Sequence, residues 1–207
     1  MNSKRSLIRR TTAASAAAAA ALALAACGGD DGSAGHDGHD SKSPSASAPA
    51  SQGRHNAADV AFAKGMIPHH RQAVEMADLA PSRAESAEVK QLAEQIKKAQ
   101  DPEIKTLSGW LTSWGEEVPA EGAMDHSTHG TGGMMTTEEM EELKNSSGKA
   151  FDTAFLEMMI KHHEGAVAMA KTEQTDGAHQ PAKKMAGAII TSQSAEIDEM
   201  NKLLGKN

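Results

Sequence analysis

Two short stretches concentrate the residues able to do chemistry. Met66, His69 and His70 are followed by Met76, and Met159, His162 and His163 are followed by Met169 at the same spacing. On an α-helix, with about 100° between successive residues, the first Met of each set lies mid-face and the two His lie one turn on, to either side of it. Three potential ligands thus gather within one turn, with the second Met about two turns further along the same edge as the first His. Imidazole is a borderline ligand and thioether a soft one. Together they suit copper, particularly Cu(I), and Ag(I) better than Mg, Ca or Mn. Taken singly, each residue has a blander reading, because Met at helical spacing is ordinary core filler.

The double occurrence changes that balance. Residues 59–77 align without gaps on residues 152–170, an offset of 93, and 11 of the 19 positions are identical. The offset persists beyond the motif, pairing Ala93 with Ala186, Ile96 with Ile189, Gln100 with Gln193, Glu103 with Glu196 and Ile104 with Ile197. The repeating unit therefore spans about 59–111 and again about 152–204. Positions that differ, such as Arg71/Glu164 and Gln72/Gly165, read as surface drift.

Each unit must be built to position its cluster, and each reads as a helical hairpin. Phe62, Met66, His69, Ala73, Met76 and Ala80 recur at steps of three and four, the spacing of one helix face. Asn56 is the expected N-cap and Ala80-Pro81 the expected stop. Ser82 followed by Glu85 suggests a capping box opening a second helix, which buries Val89, Leu92, Ile96, Leu107, Leu111 and Trp114. Pro68 and Pro102 fall inside these helices and are expected to kink them or begin a turn. Gln100 and Glu103 lie on the buried stripe, as do Gln193 and Glu196. A buried carboxylate needs a partner, and an imidazole of the facing helix is the nearest chemistry, which makes these residues orienters of the His or direct ligands. A metal-free Glu/Gln/His network that sets register is the structural alternative.

Two hairpins make an all-α four-helix bundle. The connector, about 115–150, is too long for an up-down-up-down bundle and implies a crossover along its length, with Thr136 capping a short helix. Its Gly-rich stretch carries Met124, His126, His129, Met134 and Met135, which are candidate auxiliary ligands.

The sequence Met-Ile-x-His-His-x-x-Ala-Val-x-Met-Ala, present twice, resembles the signature of a bacterial family known as domain of unknown function 305, over about Asn56 to Leu204. That family is regarded as ferritin-like and includes periplasmic copper-binding proteins of the CopM type. The resemblance implies copper as the bound metal and Met66, His69, His70, Met76, Met159, His162, His163 and Met169 as the residues that hold it.

The chain's start reads as an address. Lys4, Arg5, Arg9 and Arg10 precede the apolar run 13–26, which is too short to span a bilayer and ends in Leu24-Ala25-Ala26-Cys27. This is a lipoprotein signal peptide over 1–26, with Cys27 as the acylated residue. Residues 27–54 are rich in Gly, Ser, Asp, Ala and Pro, the composition of a disordered tether, and include His36 and His39. The folded domain is then 55–207, held by lipid on the extracytoplasmic face of the cell membrane.

Composition excludes several classes. The net charge is −7, and loss of residues 1–26 removes four basic residues and no acid, so a phosphate backbone is a poor partner. Aromatics make up 2%, without Tyr, which argues against base-stacking platforms and a β-sandwich core. One cysteine allows no internal disulfide. No catalytic triad or Gly-rich phosphate loop occurs, so no enzyme is expected. Two other functions compete with copper buffering or resistance. One is a metal-free helical interaction module of the envelope. The other is a ferritin-like di-iron enzyme, which uses Glu-x-x-His twice, whereas none of the ten His here has Glu three residues before it.

Overall fold

A computed structural model describes residues 54–121 and 132–206. The expected signal peptide, Cys27, the tether with His36 and His39, and the loop residues Met124, His126 and His129 lie outside the described residues. Among the described residues five helices follow in order: α1 Ala57–Arg83, α2 Ala87–Trp114, α3 Thr137–Asn145, α4 Gly148–Asp176 and α5 Gln180–Leu203.

Helix α1 starts where Asn56 predicts, with the Asn56 side chain accepting from the Ala58 and Asp59 amides and Asp59 closing a capping box. Its end corrects the sequence reading. Pro81 lies inside the last turn and the helix runs on to Arg83. Ser82 caps nothing, its hydroxyl donating back to Leu79 O, and Ser86 instead accepts from the Val89 amide to open α2. Pro68 and Pro102 are also carried within continuous helix. Thr136 and Glu139 form the expected capping box of α3. Because α4 begins at Gly148, the connector is 115–147.

The two hairpins meet through α1 and α4. Asn56 Nδ2 donates to Asp176 O at one end, and Ala84 bridges to Gly148 at the other, so α1 and α4 run antiparallel. Trp114, at the end of α2, packs on His55 and His179, whereas α4 starts beside Ala84. The connector therefore travels the bundle's length, the ferritin-like crossover.

A feature of the repeat absent from the sequence reading locks this arrangement. Asp59 of α1 accepts the Ala178 and His179 amides ahead of α5, while Asp152 of α4 accepts the Glu85 and Ser86 amides ahead of α2. Each hairpin thus satisfies backbone donors at the start of the other's second helix, donors that no intrahelical carbonyl can reach. That use explains why Asp persists in both copies.

The interior has two apolar clusters with a polar layer between them. Phe62, Met66, Ile67, Leu107, Leu111, Ala166, Ala170, Ala186 and Ile189 form one. Met76, Val89, Leu92, Ile96, Phe151, Phe155 and Met159 belong to the other. Between them in register, on all four long helices, lie the buried His69, His70, Gln100, His162, His163 and Gln193.

Candidate metal centre

The His pairs of the two units face each other across the α1–α4 contact. The rings of His69 and His162 meet with centroids 3.7 Å apart and planes tilted by 41°. His70 Nε2 lies 2.7 Å from Glu103 Oε2 on α2, and His163 Nε2 lies 2.6 Å from Glu196 Oε2 on α5. The same imidazole–carboxylate contact thus forms inside each hairpin, as the persistence of both Glu residues implies. Both Glu side chains are partly exposed at the layer's rim, while the His70 and His163 rings are fully buried.

The third anchored ring is His69, whose Nε2 lies 2.7 Å from Gly132 O. A carbonyl accepts only, so His69 donates through Nε2, and the carboxylates fix the Nε2–H of His70 and His163 in the same way. In the neutral ring the lone pair is then on Nδ1. Among the described residues the Nδ1 atoms of His69, His70 and His163 have no hydrogen-bond partner, and neither does either nitrogen of His162. Gln100, with both its amide atoms, and Gln193 Oε1 are unpartnered in the same layer. Each such buried group costs about 1–3 kcal/mol when left unsatisfied.

Electrostatics keep the central rings neutral. Burial, then the neighbouring His70, pushes His69 down to about 3, against the pull of the Gly132 carbonyl. His162, wholly enclosed and facing His69, is held well below the usual imidazole range. Neutral imidazole is the form that binds metal.

The methionines flank this layer. Met66 belongs to one apolar cluster, and Met169 packs on that cluster with its sulfur beside Gly65. Met76 and Met159 belong to the other. The antiparallel helices therefore bring the first Met of each unit to the end that holds the second Met of the other. Met66, Met76 and Met159 are fully buried and Met169 partly so. Met134 is partly buried, and Met135 is buried in the second cluster. Among the described residues no three His, Cys, Asp or Glu side chains converge on one point. A third ligand beside the imidazoles would therefore come from another donor, of which the flanking thioethers are the soft ones.

One sequence expectation fails here. Gln72 and Gly165 are buried, not drifting surface positions. Gln72 Nε2 donates to Met135 O and Gln72 Oε1 accepts from Met135 N, at 2.9 and 2.7 Å. Gly165 lets residues 132–133 lie on α4, since a Cβ there would collide with the Gly132 carbonyl. The connector docks against both positions, so the two units had to differ there. Gly132 and Gly133, with φ of 89° and 77°, make the turn into that contact.

Residues 59–204 match the family described as a domain of unknown function, DUF305. The chain belongs to the DUF305 family. A DUF305 protein from Streptomyces coelicolor is 35% identical, over 72% of this chain and 93% of that one, with a TM-score of 0.65. A DUF305 fragment from Deinococcus radiodurans is 28% identical, over 73% and 98%, with a TM-score of 0.65. The Cu(I)-bound form of CopM is 36% identical, over 70% and 94%, with a TM-score of 0.58. CopM has also been solved with Cu(II) and with Ag. No curated protein matches the chain. The DUF305 relatives share the helical fold found here.

Proposed function

We propose that this DUF305 protein binds Cu(I) and Ag(I) through the Met/His layer between its hairpins, as an extracytoplasmic, non-enzymatic copper buffer or resistance protein. The observation that carries the reading is the set of imidazoles oriented through Nε2, with unpartnered Nδ1 atoms buried in a layer flanked by thioethers. An oriented imidazole whose other N–H meets a carboxylate or carbonyl is the usual arrangement of a metal ligand. Soft monovalent cations match thioether and imidazole, and CopM, similar over most of this chain, has been solved with Cu(I), Cu(II) and Ag.

On this reading the metal is cargo. Met66, His69, His70, Met76, Met159, His162, His163 and Met169 hold it, Glu103 and Glu196 orient two of the rings, and Gln100 and Gln193 border the layer. The connector methionines Met134 and Met135, with Met124, His126 and His129, supply auxiliary ligands. Lipid on Cys27 and tether 27–54 hold the domain at the outer face of the membrane, so Cys27→Ser should leave the protein unprocessed or release it. The di-iron alternative is disfavoured because Glu103 and Glu196 are engaged with imidazoles and the Glu-x-x-His pattern is missing. The metal-free module leaves the orphaned nitrogens without purpose. The test is anaerobic titration with Cu(I), Ag(I), Zn(II) and Fe(II), with bound metal counted after desalting. Retention of Cu(I) and Ag(I) above Zn(II) and Fe(II) is expected, and preferential retention of Fe(II) or Zn(II) would contradict the reading.

A further inference from the structure

Three of the four buried imidazoles have an oxygen acceptor at Nε2, but the acceptors are not alike. For His70 and His163 they are Glu103 and Glu196, one helix away in the same hairpin and related by the repeat. For His69 the acceptor is a main-chain carbonyl, Gly132 O, from the connector. His162, the counterpart of His69, meets no carboxylate or connector carbonyl at hydrogen-bond distance among the described residues and feels only a weak pull from the His69 main chain. The connector therefore makes the two halves of the layer unequal at the place where the rings meet.

Something must hold that carbonyl in place, because a Gly-Gly segment has little intrinsic preference for one conformation. Two features do so. Gln72, on α1 three residues after His69 and fully buried, grips Met135 through both its amide N–H and its carbonyl. On the other side, Gly165 of α4 leaves room for Gly132, whose carbonyl a Cβ there would strike, and a Cβ on Gly133 would strike the Lys161 carbonyl. Arg71, next along α1, donates to Pro119 O and Ala120 O and so fastens the connector's earlier part to the same helix. Of the positions at which the repeats differ, Arg71, Gln72 and Gly165 seat the connector.

We infer that Gln72 is a positioning residue of the metal centre: through Met135 it holds the Gly132 carbonyl on His69 Nε2, and so presents His69 Nδ1 to a soft monovalent cation as Glu103 and Glu196 present His70 and His163. The inference rests on the proposed Cu(I)/Ag(I) reading and adds to it a residue that touches no metal. Gln72→Leu keeps the volume but strands the Met135 amide and carbonyl, so the segment leaves α1. Gly165→Ala unseats it from the α4 side, by steric collision and without touching Gln72.

The experiment uses the chain with its Cys27→Ser background and compares wild type, Gln72→Leu and Gly165→Ala. Long-range proton–nitrogen spectra of the metal-free protein report which His69 nitrogen carries hydrogen, and competition titration reports Cu(I) and Ag(I) affinity. Wild type should show His69 protonated at Nε2. Both variants should lose that signature, retain their helical content, and bind Cu(I) and Ag(I) about 10- to 100-fold more weakly, the usual cost of removing such an orienting partner. Changing Gln72 to Glu, which still accepts from the Met135 amide, should fall between the two. Variants that lose the His69 signature yet keep wild-type affinity would overturn the positioning role while leaving the metal centre intact. So would an unchanged His69 signature in both variants, since the clamp would then not hold the carbonyl. Wild type that retains neither ion would instead remove the underlying reading. If Gln72→Leu does not fold, Gly165→Ala decides alone.

Discussion

Glu173 offers a test of the packing that joins the hairpins, because it is an acid where the repeat does without one. It is 1% exposed, and the group that faces it is Asp59, which already accepts backbone amides and to which a protonated Glu173 can donate. Its counterpart in the first unit is Ala80, so the interlock by itself does not need a carboxyl there. Burial, then Asp59, pushes Glu173 from the usual 4.5 up to about 8, with Lys183 opposing. The folded state therefore keeps its proton while the unfolded chain gives it up above 4.5. Stability from this group is fully present below 4.5 and is lost as pH rises toward 8. The loss is at most about 1.4 kcal/mol per pH unit, and on the order of 4 kcal/mol over the interval. Glu173→Gln removes the proton equilibrium and keeps a donor for Asp59. Urea unfolding of the metal-free protein from about pH 5 to about pH 9 should show the variant gaining on wild type with each step up to about pH 8, by on the order of 4 kcal/mol in all. A difference between the two that does not change with pH would refute the reasoning.

Further expectations follow from the same contacts. His69, pushed down to about 3 by burial, and His162, pushed down likewise, stay neutral while unfolded histidines protonate below about 6.5. Their stability is therefore present above that value and lost as pH falls toward 3. Metal-free protein carrying His69→Gln and His162→Gln should unfold at lower pH than wild type, and equal acid midpoints would contradict this. Asp152→Ala frees the Glu85 and Ser86 amides and should cost about 1–3 kcal/mol in urea unfolding. A cost below about 0.5 kcal/mol, the range of ordinary surface changes, would mean the interlock contributes nothing.

Much of the fold was legible because the chain carries two copies of its own pattern. The positions expected on the buried faces of the first hairpin are buried, from Phe62 to Ala80 and from Val89 to Leu111, with Trp114 at the bundle's end partly so. Glu103 and Glu196 face imidazoles as expected, but from the partly exposed rim of the layer rather than from a buried stripe. The helix boundary failed for a physical reason: Ser82 and Ser86 each precede a Glu, and Pro81, which lacks the N–H that continues a helix, is nonetheless carried in the last turn, so local chemistry favoured the earlier start. Asp59 and Asp152 were visible as identities but not as interlocks, since their partners lie 119 to 120 and 66 to 67 residues away. Gln72 and Gly165 were misread because a repeat shows only what both units need. The connector exists once, so the residues that receive it must differ.

The central claim is that thioether and imidazole bind the metal together. X-ray absorption at the copper edge of the anaerobically Cu(I)-loaded protein, with Cys27→Ser so that no thiol contributes, measures this directly. The account predicts both sulfur and imidazole nitrogen in the first coordination shell. Replacing Met66, Met76, Met159 and Met169 by Leu should remove the helix-borne sulfur while leaving the imidazole scattering, at a packing cost of less than about 1.5 kcal/mol per site. A shell of nitrogen and oxygen alone in the unreplaced protein would contradict the account, make the methionines core residues, and leave the histidines with Glu103 and Glu196 as a site for a harder metal.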